Sequence, residues 1–169
     1  MAKQYDYESR LVMTHKIQKI FFIIILLVFM FLAYANGNAK DVPISDIESA
    51  LKASTELSTS MEKCKNKDLM HFFSLNYQDF DSYIYYKNPT ALSVEELLIV
   101  KVKDKSDLLK VEDAAEERTK SQLAVFEGYG PEQVNQLSNC ITTTRGDYLF
   151  FCVSKNPDAY MEVFKNVIQ

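Results

Sequence analysis

The residue types that carry out chemistry are few in this chain, and they are scattered. His71 has no histidine near it in sequence, because His15 lies in the N-terminal leader. Asp79 and Asp81 stand two apart, as at the start of a calcium loop, but further oxygen ligands do not follow at a suitable spacing. The acidic residues between 112 and 117 are typical of the solvated face of a helix. We therefore expect no catalytic residue, no cofactor-binding or metal site, and no cofactor.

Tyrosines form one candidate contact surface. In the predicted strand 77–86, Tyr83 and Tyr85 share a face with Asp81. Their rings could stack on sugar rings if that face is open. The same alternation is expected if the tyrosines simply cover a half-buried sheet and keep their hydroxyls in water. The sequence thus gives Tyr83 and Tyr85 as candidate surface aromatics.

A second candidate is the segment that follows the longest predicted helix, with Gly128, Tyr129, Gly130 and Pro131 in succession. Gly128 is expected at positive φ, where it ends the helix, and Pro131 suits the first turn of the next one. The Tyr129 ring either packs in the corner with its hydroxyl bonded or projects as a ligand contact. The segment is a structural corner or a ligand loop.

Three cysteines, Cys64, Cys140 and Cys152, leave at least one thiol free or bonded between molecules. Cys140 and Cys152 flank a predicted hairpin turn at Arg145 and Gly146, so the register decides whether they can pair. The alternative is that they are small buried hydrophobic residues.

An uncharged run at residues 20–35 follows a leader with four Lys or Arg residues, so the N-terminus is expected to stay in the cytoplasm. The run ends in Ala33-Tyr34-Ala35, which has the form of a signal-peptidase site, but its length also suits a short membrane anchor. Both fates remain open. We expect a leader and signal peptide or anchor at 1–35, a linker at 36–43, and an extracytoplasmic domain at 44–169.

The expected domain is acidic. The first 35 residues hold four basic and two acidic residues, or +2, so the whole-chain charge of −4 leaves −6 for the remainder. A domain of that sign repels nucleic acid, which we exclude as a partner.

The hydrophobic pattern predicts an α+β fold after the N-terminal signal or anchor helix. A mainly antiparallel four-stranded sheet is expected near residues 80–86, 97–103, 139–144 and 148–154, with the long helix up to Phe126 and the last helix packed on one face. In the second strand, Leu98, Val100 and Val102 are expected to face inward while Ile99 and Lys101 face outward.

The run Glu96-Leu97-Leu98-Ile99-Val100-Lys101-Val102-Lys103, and the run from Phe126 to Val134 with its Gly-Tyr-Gly-Pro-Glu core, are similar to a bacterial domain family of unknown function. The resemblance covers about Ile44 to the C-terminus. It implies membrane-tethered or lipoprotein-type secreted proteins, chiefly of clostridia and related Gram-positive bacteria. This chain lacks the lipid-accepting cysteine of the lipoprotein members. The family has no established activity, so the resemblance implies no catalytic residue.

The sequence therefore favours a non-catalytic, extracytoplasmic binding or assembly module of the bacterial cell envelope, attached to the cell membrane or secreted if cleaved after Ala35. The expected partners are the membrane and either another envelope protein or a wall glycan. The alternative is an envelope-directed hydrolase or transferase whose carboxylate site the sequence does not reveal.

Overall fold

The computed structural model describes residues 18–30 and 39–169. Residues 18–30 are helical. Within these two ranges, no helix combines the length and the apolar character needed to cross a membrane. The candidate cleavage site Ala33-Tyr34-Ala35, the leader up to residue 17 and residues 36–38 of the expected linker lie outside the described residues.

Residues 39–169 form one compact unit around an antiparallel sheet. The sheet has five strands in the order β1-β2-β3-β5-β4, which corrects the expectation of four. The unexpected strand is β1, a pair of exposed charged residues that shows no apolar alternation in the sequence. The strands are β1 (Glu62–Lys63), β2 (Phe80–Lys87), β3 (Glu96–Val102), β4 (Ile141–Arg145) and β5 (Tyr148–Val153).

Helices cover both faces of this sheet. The first group packs on one face and consists of α1 (Ile44–Ser54), α2 (Leu57–Ser60) and α6 (Pro157–Ile168). The second group packs on the other face and consists of α3 (Asn66–Phe73), α4 (Leu108–Phe126) and α5 (Pro131–Ser138). Short 3₁₀ turns at Tyr77–Asp79 and Lys105–Asp107 precede β2 and α4.

The expectation that the helices share one face was therefore wrong, and the long helix α4 and the last helix α6 lie on opposite faces. The reason is the burial of the central strands β3 and β5 on both sides. Ile99 is fully buried on the α6 side, not exposed as expected, while Leu98 and Val100 are buried on the α4 side. A strand covered on both faces carries a continuous apolar run, as parallel central strands usually do.

The β4–β5 hairpin turns at Gly146 and Asp147, with Arg145 opposite Tyr148. Gly146 has φ 57, which suits the first position of a tight hairpin turn. In this register Ile141, and not Cys140, stands opposite Cys152. Cys140 packs against the α4 side and Cys152 against the α6 side, and Cys64, Cys140 and Cys152 are all free thiols. The disulfide considered from the sequence is not formed.

Residues 39–43, the described part of the expected linker, are held against the domain. The Tyr148 hydroxyl accepts a hydrogen bond from the Val42 N–H at 2.9 Å and donates one to the Val42 carbonyl at 2.6 Å. The Lys40 N–H donates to the Ile168 carbonyl at 2.7 Å. We call residues 39–43 the strap, because they tie the hairpin and α6 together.

Candidate functional site

A buried carboxylate lies beneath α4. Glu96 is the first residue of β3, and the strand alternation directs its side chain to the same face as Leu98 and Val100, so that it is fully buried there. Nε of Arg118 lies 3.1 Å from Glu96 Oε1, and Nη2 lies 3.3 Å from Oε2. Burial raises the pKa of Glu96, while the charge and hydrogen bonds of Arg118 oppose that rise. The result is an ion pair inside the domain.

Tyr85 completes this polar cluster. Its hydroxyl donates to Glu96 Oε2 at 3.0 Å, and its ring is fully buried. Burial raises the pKa of the Tyr85 phenol, which keeps it a neutral donor. Tyr85 is therefore a core residue, which corrects its prediction as a surface aromatic. Tyr83 is partly exposed, and its hydroxyl is bonded to Asn66 Oδ1 at 2.5 Å.

Arg118 connects this buried cluster to the surface. Its guanidinium carbon lies 4.7 Å from the centroid of the Phe72 ring, on which it stacks, and its side chain retains 12% exposure. Phe72 in turn has the His71 ring edge-on at 4.7 Å. Because Glu96 and Phe72 hold the guanidinium from two directions, its position is fixed.

An open groove of about 600 Å³ runs between α3 and α4 over this arginine. The wall from α3 ends at Ser74, whose φ of 55 terminates the helix and turns Leu75 into the core. We call this feature the α3–α4 groove, and its lining combines aromatic, charged and small side chains: His71, Phe72, Lys110, Asp113, Ala114, Glu117, Arg118 and Ser121.

Some charged side chains of the groove already have an ion-pair partner, and others do not. Lys110 Nζ lies 2.8 Å from Asp79 Oδ2, outside the groove lining, and Arg118 is paired with Glu96. Asp113 and Glu117 make no ion pair with any residue in 18–30 or 39–169. The groove can therefore offer two carboxylates and two aromatic rings to a partner.

The predicted corner lies at the far end of α4. Gly128 has φ 95, as expected for a residue that ends the helix in the left-handed region, and Pro131 begins α5. The Tyr129 ring contacts Phe126, with 5.6 Å between ring centroids, but it is 63% exposed. Across the described ranges its hydroxyl makes no hydrogen bond, so the alternative in which the hydroxyl is bonded in the corner is not what the structure shows.

Perturbed carboxyl groups lie on both faces of the sheet. Burial of Glu48 on α1 is outweighed by hydrogen bonds from Lys52, Lys63 and Tyr86, which lower its pKa to about 2. Glu48 belongs to the α6 side and Glu96 to the α4 side, so the sheet separates them. Across residues 18–30 and 39–169, His, Cys, Asp and Glu form no group of three or more that could hold a metal ion.

Neither partner of the ion pair was predicted from the sequence. A signal for Glu96 was present, because it directly precedes the predicted strand 97–103 and is in phase with its inward residues Leu98 and Val100. A signal for Arg118 was present too, because it lies seven residues after Val111 and three after Ala115, on the same face of the predicted helix. A charged residue in phase with a buried face needs a partner of opposite charge on the element that packs over it.

Fold and groove together define a small α+β domain, with a two-sided antiparallel sheet and an open surface groove above a buried ion pair. Residues 53–154 match the family described as a domain of unknown function (DUF4358), and the chain belongs to that family. The match begins near the end of α1 and ends just after β5, so it includes the sheet, the ion pair and the groove. No curated protein and no solved structure matches the chain.

Proposed function

We propose that this domain is a non-catalytic binding or assembly module of the bacterial cell envelope, held at the outer side of the cell membrane, and that the α3–α4 groove contacts another envelope protein. The observation that carries the proposal is the fixed Arg118, which is held by Glu96 below and by Phe72 beside it at the base of an open groove. A rigid charged and aromatic wall loses little freedom when a partner binds.

The groove suits a protein segment with a basic side chain. Asp113 and Glu117 are one helical turn apart on α4 and are not engaged by other charges in the described ranges, while Phe72 and His71 provide aromatic surface opposite them. A lysine or arginine of a partner can then pair with the carboxylates and lay its aliphatic stem on the rings.

The proposed location rests on the sequence. The uncharged run 20–35 follows four basic residues, and the resemblance is to membrane-tethered proteins of clostridia and relatives. Protease added to wall-stripped intact cells should then digest the part after Lys40 and spare the leader. A domain that stays intact until the cells are lysed would contradict this orientation.

The partner is tested by crosslinking from within the groove. A photo-crosslinking amino acid at Ser121, which lines the groove, should capture a membrane or wall protein in intact cells, whereas the same amino acid at Glu112, exposed on another face of α4, should capture much less. Ser121→Arg should reduce recovery of that partner, and Glu112→Arg should not. Equal capture from both positions would show that the groove is not the contact surface.

The hydrolase or transferase alternative makes a different prediction. Because Glu96 is fully buried, a catalytic carboxylate would have to be one that lines the groove. The alternative therefore requires loss of turnover of envelope material in Glu117→Gln, which keeps the size of the side chain and removes its charge. If that variant retains partner capture but loses a measurable conversion of wall polymer, the assignment as a binding module is wrong.

A further inference from the structure

A second cleft lies at the opposite end of β3 from the hairpin turn, and we infer that it binds a neutral sugar. It has a volume of about 560 Å³, within the range of pockets that hold small molecules. Five chain segments meet there: the end of α1 with the turn after it, the end of α2, the residue before β3, the residues after β5, and the first turn of α6. We call it the hydroxyl cleft, after Ser54, Thr55, Ser60, Ser154 and Tyr160.

Ser154 is the buried polar group of this cleft. Its side chain lines the cleft although the residue is only 4% exposed. The Ser154 oxygen is 3.8 Å from the Cys152 sulfur, which is a weak hydrogen bond between the hydroxyl and the thiol. The hydroxyl keeps hydrogen-bonding capacity beyond this weak contact, and the cleft is one of the two open spaces that Ser154 lines.

The two helix ends at the cleft add backbone groups of opposite kind. The Leu51 carbonyl of α1 already accepts from the Thr55 N–H and hydroxyl, and Pro157 at the start of α6 has no N–H. The carbonyls after Leu51 and the N–H groups after Pro157 lack partners within their own helices. No side chain caps the start of α6, since Asn156 makes no capping hydrogen bond. The cleft therefore has acceptors on the α1 side and donors on the α6 side. Hydroxyl groups can both donate and accept, so a ligand with several hydroxyls can satisfy both sides.

The charge of the cleft favours a neutral ligand. Glu56 and Glu95 bring negative charge and Lys155 brings positive charge, so neither an anion nor a cation is strongly preferred. Ala53, Ala159 and the Tyr160 ring supply the apolar surface on which the carbon face of a sugar can lie. The Thr55 and Ser60 hydroxyls already donate to the Leu51 and Glu56 carbonyls, so their oxygens are left to accept from ligand hydroxyls. These acceptors, a small apolar patch and mixed charge are the recognition elements for a neutral carbohydrate.

This inference does not depend on the α3–α4 groove or on its protein partner. The test uses the full chain in a zwitterionic detergent that has no sugar headgroup. Methyl β-glucoside and N-acetylglucosamine are titrated while backbone amide resonances are followed by NMR. We expect saturable shifts at Asn156 and Ala159, with a dissociation constant in the millimolar range. Cyclohexanol, which has the ring but one hydroxyl, and glucose 6-phosphate, which adds an anion, should bind more weakly.

Variants then locate the site. Ala159→Arg fills the cleft from α6 and should weaken sugar binding at least about tenfold. Glu162→Arg, on an exposed position of the same helix, should leave it unchanged. If Ala159→Arg lowers the melting temperature, Ser54→Gln fills the cleft from the exposed end of α1 instead.

A tetrasaccharide of N-acetylglucosamine distinguishes the two sources of such a ligand. Tighter binding than the monosaccharide would indicate a polymeric glycan, and equal binding a free sugar. Absence of shifts at millimolar sugar, binding of cyclohexanol or glucose 6-phosphate equal to that of the glucoside, or full binding by both cleft-filling variants would overturn the inference. None of these results bears on capture through Ser121, so failure of this site is distinct from failure of the proposed function.

Discussion

The Arg118 side chain extends from α4 toward β3 and places its Nε 3.1 Å from Glu96 Oε1. Glu96 has no exposed surface. Removing two charges from water costs several kcal/mol for each ion, which their attraction only partly returns. The pair is therefore a poor source of stability compared with apolar residues of the same size. Its structural consequence is that the guanidinium is fixed at the base of the α3–α4 groove.

Breaking this pair from one side should be costly. Glu96→Ala leaves the Arg118 charge without a partner, and we expect the free energy of unfolding to fall by about 3–5 kcal/mol. Urea unfolding followed by circular dichroism measures this. Glu116→Ala removes an exposed ion pair with Lys120, which lies on α4 like Arg118. This control should leave the unfolding midpoint almost unchanged.

A double variant separates the charge from the packing. Glu96→Leu with Arg118→Met replaces both charged partners by apolar groups and should recover the part of the loss in Glu96→Ala that the unpaired Arg118 charge causes. The Tyr85 hydroxyl loses its acceptor in both variants, so that cost cancels in the comparison. If the double variant is as unstable as Glu96→Ala, the ion pair stabilises the fold in its own right.

The surface network of Glu48 should make stability depend on acid pH. Hydrogen bonds from Lys52, Lys63 and Tyr86 outweigh burial and lower the Glu48 pKa to about 2, whereas its ordinary value is 4.5. A lowered carboxyl pKa contributes stability that is present above the ordinary value and is lost as the pH falls from 4.5 toward 2. Unfolding midpoints measured between pH 6 and pH 2.5 should thus decline less steeply in Glu48→Gln. Parallel declines in the two proteins would contradict the assignment.

Sequence patterns predicted the elements whose signals are local. The stripe of Val111, Ala115, Gln122 and Phe126 is buried on α4 as its spacing implies, and the last helix has the expected apolar face. The two-residue strand β1 has no pattern of its own, because its partner β2 alone defines it.

The β3 sequence alone does not show that helices cover both faces of the sheet. Ile99 was placed outward on the assumption that one face is exposed. Whether a face is covered depends on helices distant in sequence, here α1 and α6. The Glu96 contact has the same cause, since its partner lies 22 residues away on an element whose rotation is set by packing. The hydroxyl cleft combines five segments, and none of them carries a recognisable motif alone.

The three thiols should be slow to react in the folded protein. Burial raises the pKa of Cys64 to about 11 and that of Cys152 to about 12, and it also raises that of Cys140. Because the thiolate is the reactive form, alkylation by iodoacetamide at pH 8 should be slow at all three and slowest at the fully buried Cys152. Mass spectrometry under non-reducing conditions should find no intramolecular disulfide. A Cys140–Cys152 crosslinked peptide from freshly purified protein would contradict the register of the hairpin.

The strap should detach when Tyr148 loses its hydroxyl. Tyr148→Phe removes both hydrogen bonds to Val42, and leaves a backbone N–H and carbonyl without these partners. We expect a loss of about 1–3 kcal/mol in the free energy of unfolding. Limited proteolysis should also cut near residues 39–43 faster than in the parent protein. Tyr83→Phe, which removes a hydroxyl bonded to Asn66 at the surface, serves as the matched control.

The two glycines of the corner after α4 are required for different reasons, Gly128 for its backbone conformation and Gly130 for side-chain packing. Gly128 has φ 95, and a Cβ added there would meet nothing within 4 Å, so Gly128→Ala should cost roughly 1 kcal/mol from backbone strain alone. Gly128→Asn should cost less, because asparagine tolerates positive φ better than alanine. Gly130 has an ordinary φ of −117, but a Cβ there would lie 2.8 Å from Cδ1 of Phe126.

Since Phe126 is buried, its ring cannot move without disturbing the end of α4, and Gly130→Ala should destabilise more than Gly128→Ala. Replacing Gly130 with asparagine should bring no relief, which distinguishes a clash from backbone strain.

Tyr129→Ala removes a mostly exposed ring and should change the melting temperature little. If it also abolishes recovery of the membrane partner while Gly128→Asn does not, the corner is a ligand loop. Equal costs for alanine and asparagine at Gly128 would show instead that positive φ does not govern this turn.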